Sequence, residues 1–259
     1  MYLSICVTIK NRSYVKTQHG VITLFPNCLQ SINDSLSNLK IPTELIITDW
    51  ESTDCNLYDY LHSIEFEIPT EVVTIKSNDQ FSVGMGRNIA AQKSIGDILF
   101  FLDADVTINE NSLKECIKIV NTYGACYPTI AYQKTYNQSH YDIHEGGGNV
   151  LIKRELFEKT NKWPEYWSYG FEDTEFAKDL KKHTKLHTCD DIFVHQWHPK
   201  KIGWKNIVDK KATPVKIYNQ QKMNLEVDNI KKHINNMINA PNVKYGRQPK
   251  KGEIKDIRL

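Results

Sequence analysis

Short apolar runs alternate with amphipathic stretches through residues 1–120, a pattern that chains fold into parallel strands joined by crossover helices. Tyr2 to Ile9 reads as a first strand, after which Cys28, Leu29, Ile32, Leu36 and Leu39 recur at helical spacing. Glu44 to Thr48 and Glu71 to Ile75 read as the next strands and Val83 to Ser94 as a helix. Asp97 to Leu102 is the central strand, and Leu113, Cys116, Ile117 and Val120 mark a further helix. The topology is of the nucleotide-binding type. The second half is less regular: aromatic-rich segments, a Gly146-Gly147-Gly148 run before the strand-like Asn149-Val150-Leu151-Ile152, a helix from Asp173 to about Lys182, and a short strand at Ile192 to Val194. Past Trp204 the chain turns lysine- and asparagine-rich. One amphipathic helix is expected there, with Leu225, Ile230, Ile234 and Met237 on its buried side, before a basic tail from about Lys244.

The central strand ends in Asp103-Ala104-Asp105, so two carboxylates emerge where the buried run Ile98 to Leu102 stops. Residues two apart on an extended chain project to one side, which lets Asp103 and Asp105 face a single ligand. Two hard oxygen donors suit a divalent cation that bridges phosphates; a strand end capped by solvated acids is the other reading. With 33 basic and 31 acidic residues among 259, nothing in the overall charge argues for nucleic acid as partner. Six scattered cysteines without a Cys-x-x-Cys pair argue against a zinc site or a disulfide framework and read as reduced thiols. Met1 is followed at once by strand-like residues, leaving no room for a hydrophobic leader, and no apolar stretch has the length to span a bilayer. The expectation is a cytoplasmic protein.

Five motifs in order carry a family resemblance: Thr8-Ile9-Lys10-Asn11-Arg12, Asp49-Trp50-Glu51-Ser52-Thr53-Asp54, Gly86-Arg87-Asn88-Ile89-Ala90-Ala91, Phe101-Leu102-Asp103-Ala104-Asp105, and Trp167-Ser168-Tyr169-Gly170-Phe171-Glu172-Asp173 followed by His195-Gln196-Trp197-His198-Pro199. Together they resemble the family 2 glycosyltransferases of GT-A fold, in particular the galactosyltransferase and chondroitin-polymerase branch. The resemblance implies an α/β fold with a Rossmann-like, nucleotide-binding mixed sheet, helices on both faces, and an acceptor-binding second half. It divides the chain into a glycosyltransferase domain over residues 1–204, with a nucleotide-sugar half at 1–106 and an acceptor half at 107–204. A helical extension and basic tail follow at 205–259. It further implies inverting, metal-dependent transfer of a hexose or N-acetylhexosamine from a UDP-sugar to a glycan or lipid-linked glycan, with Mn²⁺ favoured over Mg²⁺ because one histidine joins the Asp-x-Asp oxygens.

On this resemblance Thr8, Lys10, Arg12, Asp49, Arg87, Asp103, Ala104 and Asp105 bind the nucleotide-sugar. Lys10 and Arg12 lie in the loop at the carboxyl edge of the sheet, where open α/β sheets bind ligands, and can reach phosphates; a solvated loop is the alternative. Asp49 can accept from a nucleobase N–H or simply form a turn. Arg87, placed in the first turn of its helix, does nothing for the helix dipole, which favours a role against the nucleotide. Glu172 and Asp173 open a helix, where acids complement the dipole, but they follow a crowd of rings at Trp163, Tyr166, Trp167, Tyr169 and Phe171 of the kind sugars stack on. The resemblance makes Asp173 the general base, with Glu172 bonding the acceptor. Trp167, Tyr169, Gly147 and Gly148 complete the acceptor side. Asp105 with His195 or His198 holds the metal; His195 is the first choice because it emerges from the apolar Ile192-Phe193-Val194 at a strand end, and His198 the second. A nucleotidyltransferase shares the fold and metal logic, yet Thr8 to Arg12 lacks the glycine expected of its phosphate loop. A glycan-binding module would use the rings without Asp103, Asp105 or a histidine. The basic tail suggests weak contact with an anionic membrane, or a solvated end.

Overall fold

A computed structural model describes residues 1–199 except 65, 67, 77–80, 138, 140 and 167–169, with the side chain of Asn38 also outside the description. The expected helix around Leu225 to Met237, the basic tail, Trp167 and Tyr169 all lie outside the described residues.

The strands are β1 (Leu3–Ile9), β2 (Tyr14–Thr17), β3 (Gly20–Thr23), β4 (Thr43–Asp49), β5 (Thr70–Thr74), β6 (Ile98–Asp103), β7 (Val106–Thr107), β8 (Ala125–Gln133), β9 (Tyr141–Glu145), β10 (Val150–Lys153) and β11 (Thr188–His195). The helices are α1 (Phe25–Leu39), α2 (Leu57–Ser63), α3 (Val83–Lys93), α4 (Glu110–Tyr123), α5 (Arg154–Phe157) and α6 (Glu172–Leu180). Nine strands form one mixed sheet in the order β5-β4-β1-β6-β10-β8-β11-β7, with β9 paired to β8, and β2 and β3 form a separate hairpin. β5, β4, β1 and β6 are mutually parallel, β10 runs antiparallel between β6 and β8, and β11 lies parallel to β8.

Strand residues two apart face one side of the sheet, and that rule divides the interior into two cores. Leu3, Ile5, Val7 and Ile9 of β1, with Leu45, Ile47, Phe100, Leu102 and Leu151, pack toward α1, α2 and α4. Cys6, Ile46, Leu99, Phe101, Val150 and Ile152 point the other way, into Ala90 and Ala91 of α3, Phe157, Trp163 and Phe176. All six cysteines are buried free thiols. Among the described residues no helix is long and apolar enough to cross a membrane.

Several elements went unread in the sequence. β8 contains Pro128, which cannot donate to a ladder, and its pairing with β11 is irregular between Cys189 and Ile192 at that point. The β2–β3 hairpin is pinned by Asp54, whose Oδ2 accepts from the backbone N–H of Ser13 (2.7 Å) and Tyr14 (3.0 Å). Arg154 closes the far end of the molecule: it donates to the carbonyls of Gly96 (2.7 Å) and Ala91 (3.0 Å) and to Ser94 Oγ (2.8 Å), satisfying the end of α3.

A stability prediction arises at the amino ends of β4 and β5. Glu71 is buried, both its carboxylate oxygens lack a hydrogen-bond partner, and Lys93 Nζ approaches only to 4.0 Å. Burial raises its pKa, Lys93 opposes this, and the Glu44 charge adds to it. The folded protein therefore keeps Glu71 protonated to higher pH than the unfolded chain does, and stability is lost as pH climbs through that interval. Glu71→Gln should stabilise the protein by about 1 kcal/mol at pH 8, a rise in Tm of about 2–4 °C, with no gain below the ordinary glutamate range. Thermal melts of both proteins at the two pH values check this; an equal gain at both would remove the ionisation from the explanation.

Candidate active site

The parallel register sets the site. Thr8 of β1 stands opposite Thr48 and Asp103, and Ile9 opposite Asp49, so the carboxyl ends of β1, β4 and β6 finish together. The loop after β1 turns at Asn11, whose φ is +50°, a conformation asparagine tolerates. Its Oδ1 accepts from Thr53 N–H at 2.7 Å and its N–H donates to Ser52 Oγ at 3.0 Å, which ties this loop to the one after β4 and fixes Arg12 over the sheet edge.

Asp105 is the electrostatic centre. It is 7% exposed, with Oδ2 3.4 Å from Arg12 Nε and 3.3 Å from His198 Nε2, and Oδ1 3.4 Å from His195 Nε2. Burial works to raise its pKa, but His195, His198 and Arg12 together outweigh it and hold the carboxyl well below the usual range. His195 ends β11, paired with Val106 of β7 and Tyr132 of β8, and its ring stacks on Tyr132 at 4.8 Å. Gln196 then anchors the chain by donating its N–H to the Asp105 carbonyl (2.9 Å) and its Nε2 to the Leu24 carbonyl (3.0 Å), while Trp197 N–H donates to Gln133 Oε1 at 3.1 Å. That anchoring swings His198 back beside His195, with the rings 5.2 Å apart. Both histidines thus reach Asp105, the turn residue as closely as the strand-end one.

One carboxylate oxygen and two imidazole nitrogens, all within 4.8 Å of one another, make a donor set that fits a divalent cation of intermediate hardness. Arg12 Nη1, a donor only, lies 3.3 Å from His198 Nδ1, which therefore accepts, and Nε2 is the ring nitrogen that faces Asp105.

Asp103 sits on the opposite side of Ala104 and is not in that group. Its Oδ1 accepts from Arg87 Nη2 at 2.7 Å and its Oδ2 from Asn149 Nδ2 at 2.9 Å. Arg87 is the fifth residue of α3, 3% exposed, with its guanidinium 4.3 Å over the Trp163 ring. Trp163 is itself buried and stacked on Phe176 at 4.0 Å, so this ring belongs to the core and offers no face to a sugar. Tyr166 instead donates its hydroxyl to Glu175.

Arg12, Arg87, Asp103, Asp105, His195 and His198 line a cleft of about 860 Å³ together with Thr8, Lys10, Ala104, Gly147, Gly148, Glu172 and Asp173. Thr8 Oγ1 is turned inward, accepting from Thr48 Oγ1 (2.8 Å) and Trp50 Nε1 (3.2 Å), and Gly86 leaves the room it needs. Asp49 lines a separate hollow of about 340 Å³ with Ser52, Asn56 and Tyr58, where Ser52 N–H donates to its Oδ1 at 3.0 Å and burial raises its pKa. Phe171, at φ +71°, precedes α6, and Glu172 Oε2 accepts from Gly170 N–H at 3.0 Å. Burial raises the Glu172 pKa against the opposing pull of Arg87. Asp173 Oδ1 accepts from Thr174 N–H at 2.7 Å, and a Cβ on Gly147 would lie 3.1 Å from Asp173 Oδ2. Tyr132, Lys134, Asp142 and His144, on or beside β8 and β9, also line the cleft and were not singled out from the sequence, since those strands were unread; Trp197, part of the last motif, lines it too. Asn149 was read only as strand-like.

No curated protein matches the chain. Among solved structures, S. aureus TarS 1–349 superposes with a TM-score of 0.59 at 15% identity over 75% of this chain and 60% of that one. The same protein in complex with UDP-GlcNAc gives 0.61 at 14% identity, over 78% and 60%. The chain thus spans about three fifths of the TarS chains it resembles, and the likeness is one of fold: the mixed α/β GT-A arrangement. The model of "Glycosyl transferase family 2" matches residues 4–189, and the chain belongs to that family.

Proposed function

We propose that the protein is a metal-dependent, inverting glycosyltransferase that moves a hexose or N-acetylhexosamine from a UDP-sugar to a glycan hydroxyl. The observation that carries this reading is the cleft itself: Asp105, His195 and His198 come within 4.8 Å of one another, and Glu172 and Asp173 line the same cavity. A UDP donor is supported by the TarS complexes with UDP and UDP-GlcNAc, which are properties of that protein. The halves divide the labour, residues 1–106 holding the donor and 107–204 the acceptor.

In this reading Asp105, His195 and His198 would hold a divalent cation, Mn²⁺ by the mixed oxygen and nitrogen donors, and when bound it would supply positive charge for the diphosphate. Arg12 and Lys10 add fixed positive charge at the same edge. Asp103 accepts from donor hydroxyls, and Asp49, in its separate hollow at the end of the neighbouring strand, accepts from the uracil N–H. Glu172 binds the acceptor, and Asp173 takes the hydroxyl proton as the acceptor oxygen bonds to the anomeric carbon and the bond to the diphosphate breaks. One displacement inverts the configuration.

Calorimetric titration of UDP with and without Mn²⁺ tests the reading. Binding is expected only with the metal. UDP binding indifferent to Mn²⁺, or none in either condition, would count against it.

A third prediction follows from His198. Its Nε2 stands as near Asp105 as that of His195, so His195→Ala and His198→Ala should each weaken Mn²⁺-dependent UDP binding by about 10-fold or more. A titration in which only one of them matters would give that histidine alone to the metal.

A further inference from the structure

We propose that Asn149 is the residue that positions Asp103 for donor binding, a role resting on the reading of Asp103 as a donor-binding carboxylate. Asn149 is fully buried, immediately before β10, and clasps Asp103 from both sides of its amide. Its Nδ2 donates to Asp103 Oδ2 at 2.9 Å, and its Oδ1 accepts the Asp103 backbone N–H at 2.8 Å. The two bonds fix the carboxylate relative to its own main chain. Arg87 secures the other oxygen at 2.7 Å.

The unit is closed on every side but one. A Cβ on Gly148 would lie 2.2 Å from Arg87 Nη2, so the glycine before Asn149 lets the strand press against the guanidinium. Arg87 in turn rests on Trp163. The Asp103 side chain remains 33% exposed and lines the cleft. Held in this way, Asp103 meets a hydroxyl donor and stays apart from the group formed by Asp105, His195 and His198. An asparagine meets this need where an aspartate does not: its amide N–H attracts the Asp103 carboxylate, and a second carboxylate would repel it.

The test is Asn149→Ala in the full chain, with affinity for Mn²⁺ alone and for UDP at saturating Mn²⁺ measured separately. UDP affinity should fall by about tenfold to a hundredfold, while affinity for Mn²⁺ alone is unchanged. Asp103→Asn and the double variant complete a cycle: if Asn149 acts through Asp103, the double variant binds UDP no more weakly than Asp103→Asn. Losses that multiply, or unchanged UDP affinity in Asn149→Ala, would overturn the role. Should Asn149→Ala fail to fold, Asn149→Ser keeps a polar atom at the site and the same cycle is read on it. Absence of Mn²⁺-dependent UDP binding in the parent would overturn the functional reading and this role together, whereas an unaffected Asn149→Ala overturns only this role.

Discussion

Asp105→Asn is expected to abolish Mn²⁺-dependent UDP binding while the protein stays folded. The carboxylate is buried among Arg12, His195 and His198, and they hold it ionised to unusually low pH. Its neutral isostere keeps the volume but removes the single anionic ligand and leaves the Arg12 guanidinium uncompensated beside the two imidazoles. The loss should exceed about 100-fold, near 3 kcal/mol. Because Asp105 lies past the end of β6 and outside both apolar clusters, the circular dichroism of the variant should match the parent. UDP affinity equal to the parent's in the presence of Mn²⁺ would remove Asp105 from the metal.

Asp173→Asn should separate chemistry from binding. The residue is the second of α6 and lines the cleft outside the group of proposed metal ligands, with no contact to Asp105 or Arg12 among those described. UDP affinity should therefore persist while transfer falls by about 10²- to 10⁴-fold, the usual worth of a general base. Glu172→Gln should act mainly on the acceptor KM. Transfer by Asp173→Asn at the parental rate would reduce Asp173 to an acid at a helix start.

The parts of the fold that could be read in advance are those whose burial leaves a periodic trace. β1, β4, β6 and α1 are continuous apolar runs or clear amphipathic stripes, and their observed bounds lie close to those expected. β8 was missed because Pro128 interrupts it, and β9 because it is five residues long and largely exposed, its only apolar residues Tyr141 and Ile143 facing solvent. At the site, Asp103 and Asp105 were legible because charge at the end of a buried strand is conspicuous. Trp163 misled: a ring near a sugar motif and a ring in a core look alike in sequence, and only its stacking on Phe176 and burial tell them apart. Asn149 carried no signal, because its partner lies 46 residues away and nothing local announces the pairing. His198 was ranked second on the strand-end argument, whereas the hydrogen bonds of Gln196 bring the turn back to Asp105.

The most direct test of the central claim needs no acceptor: incubation of the full chain with a panel of UDP-sugars, with and without Mn²⁺, following release of UDP. The account predicts slow hydrolysis of at least one UDP-hexose or UDP-N-acetylhexosamine that requires Mn²⁺ and disappears in Asp105→Asn. Release of pyrophosphate in place of UDP, or UDP release that neither Mn²⁺ nor Asp105 influences, would contradict it.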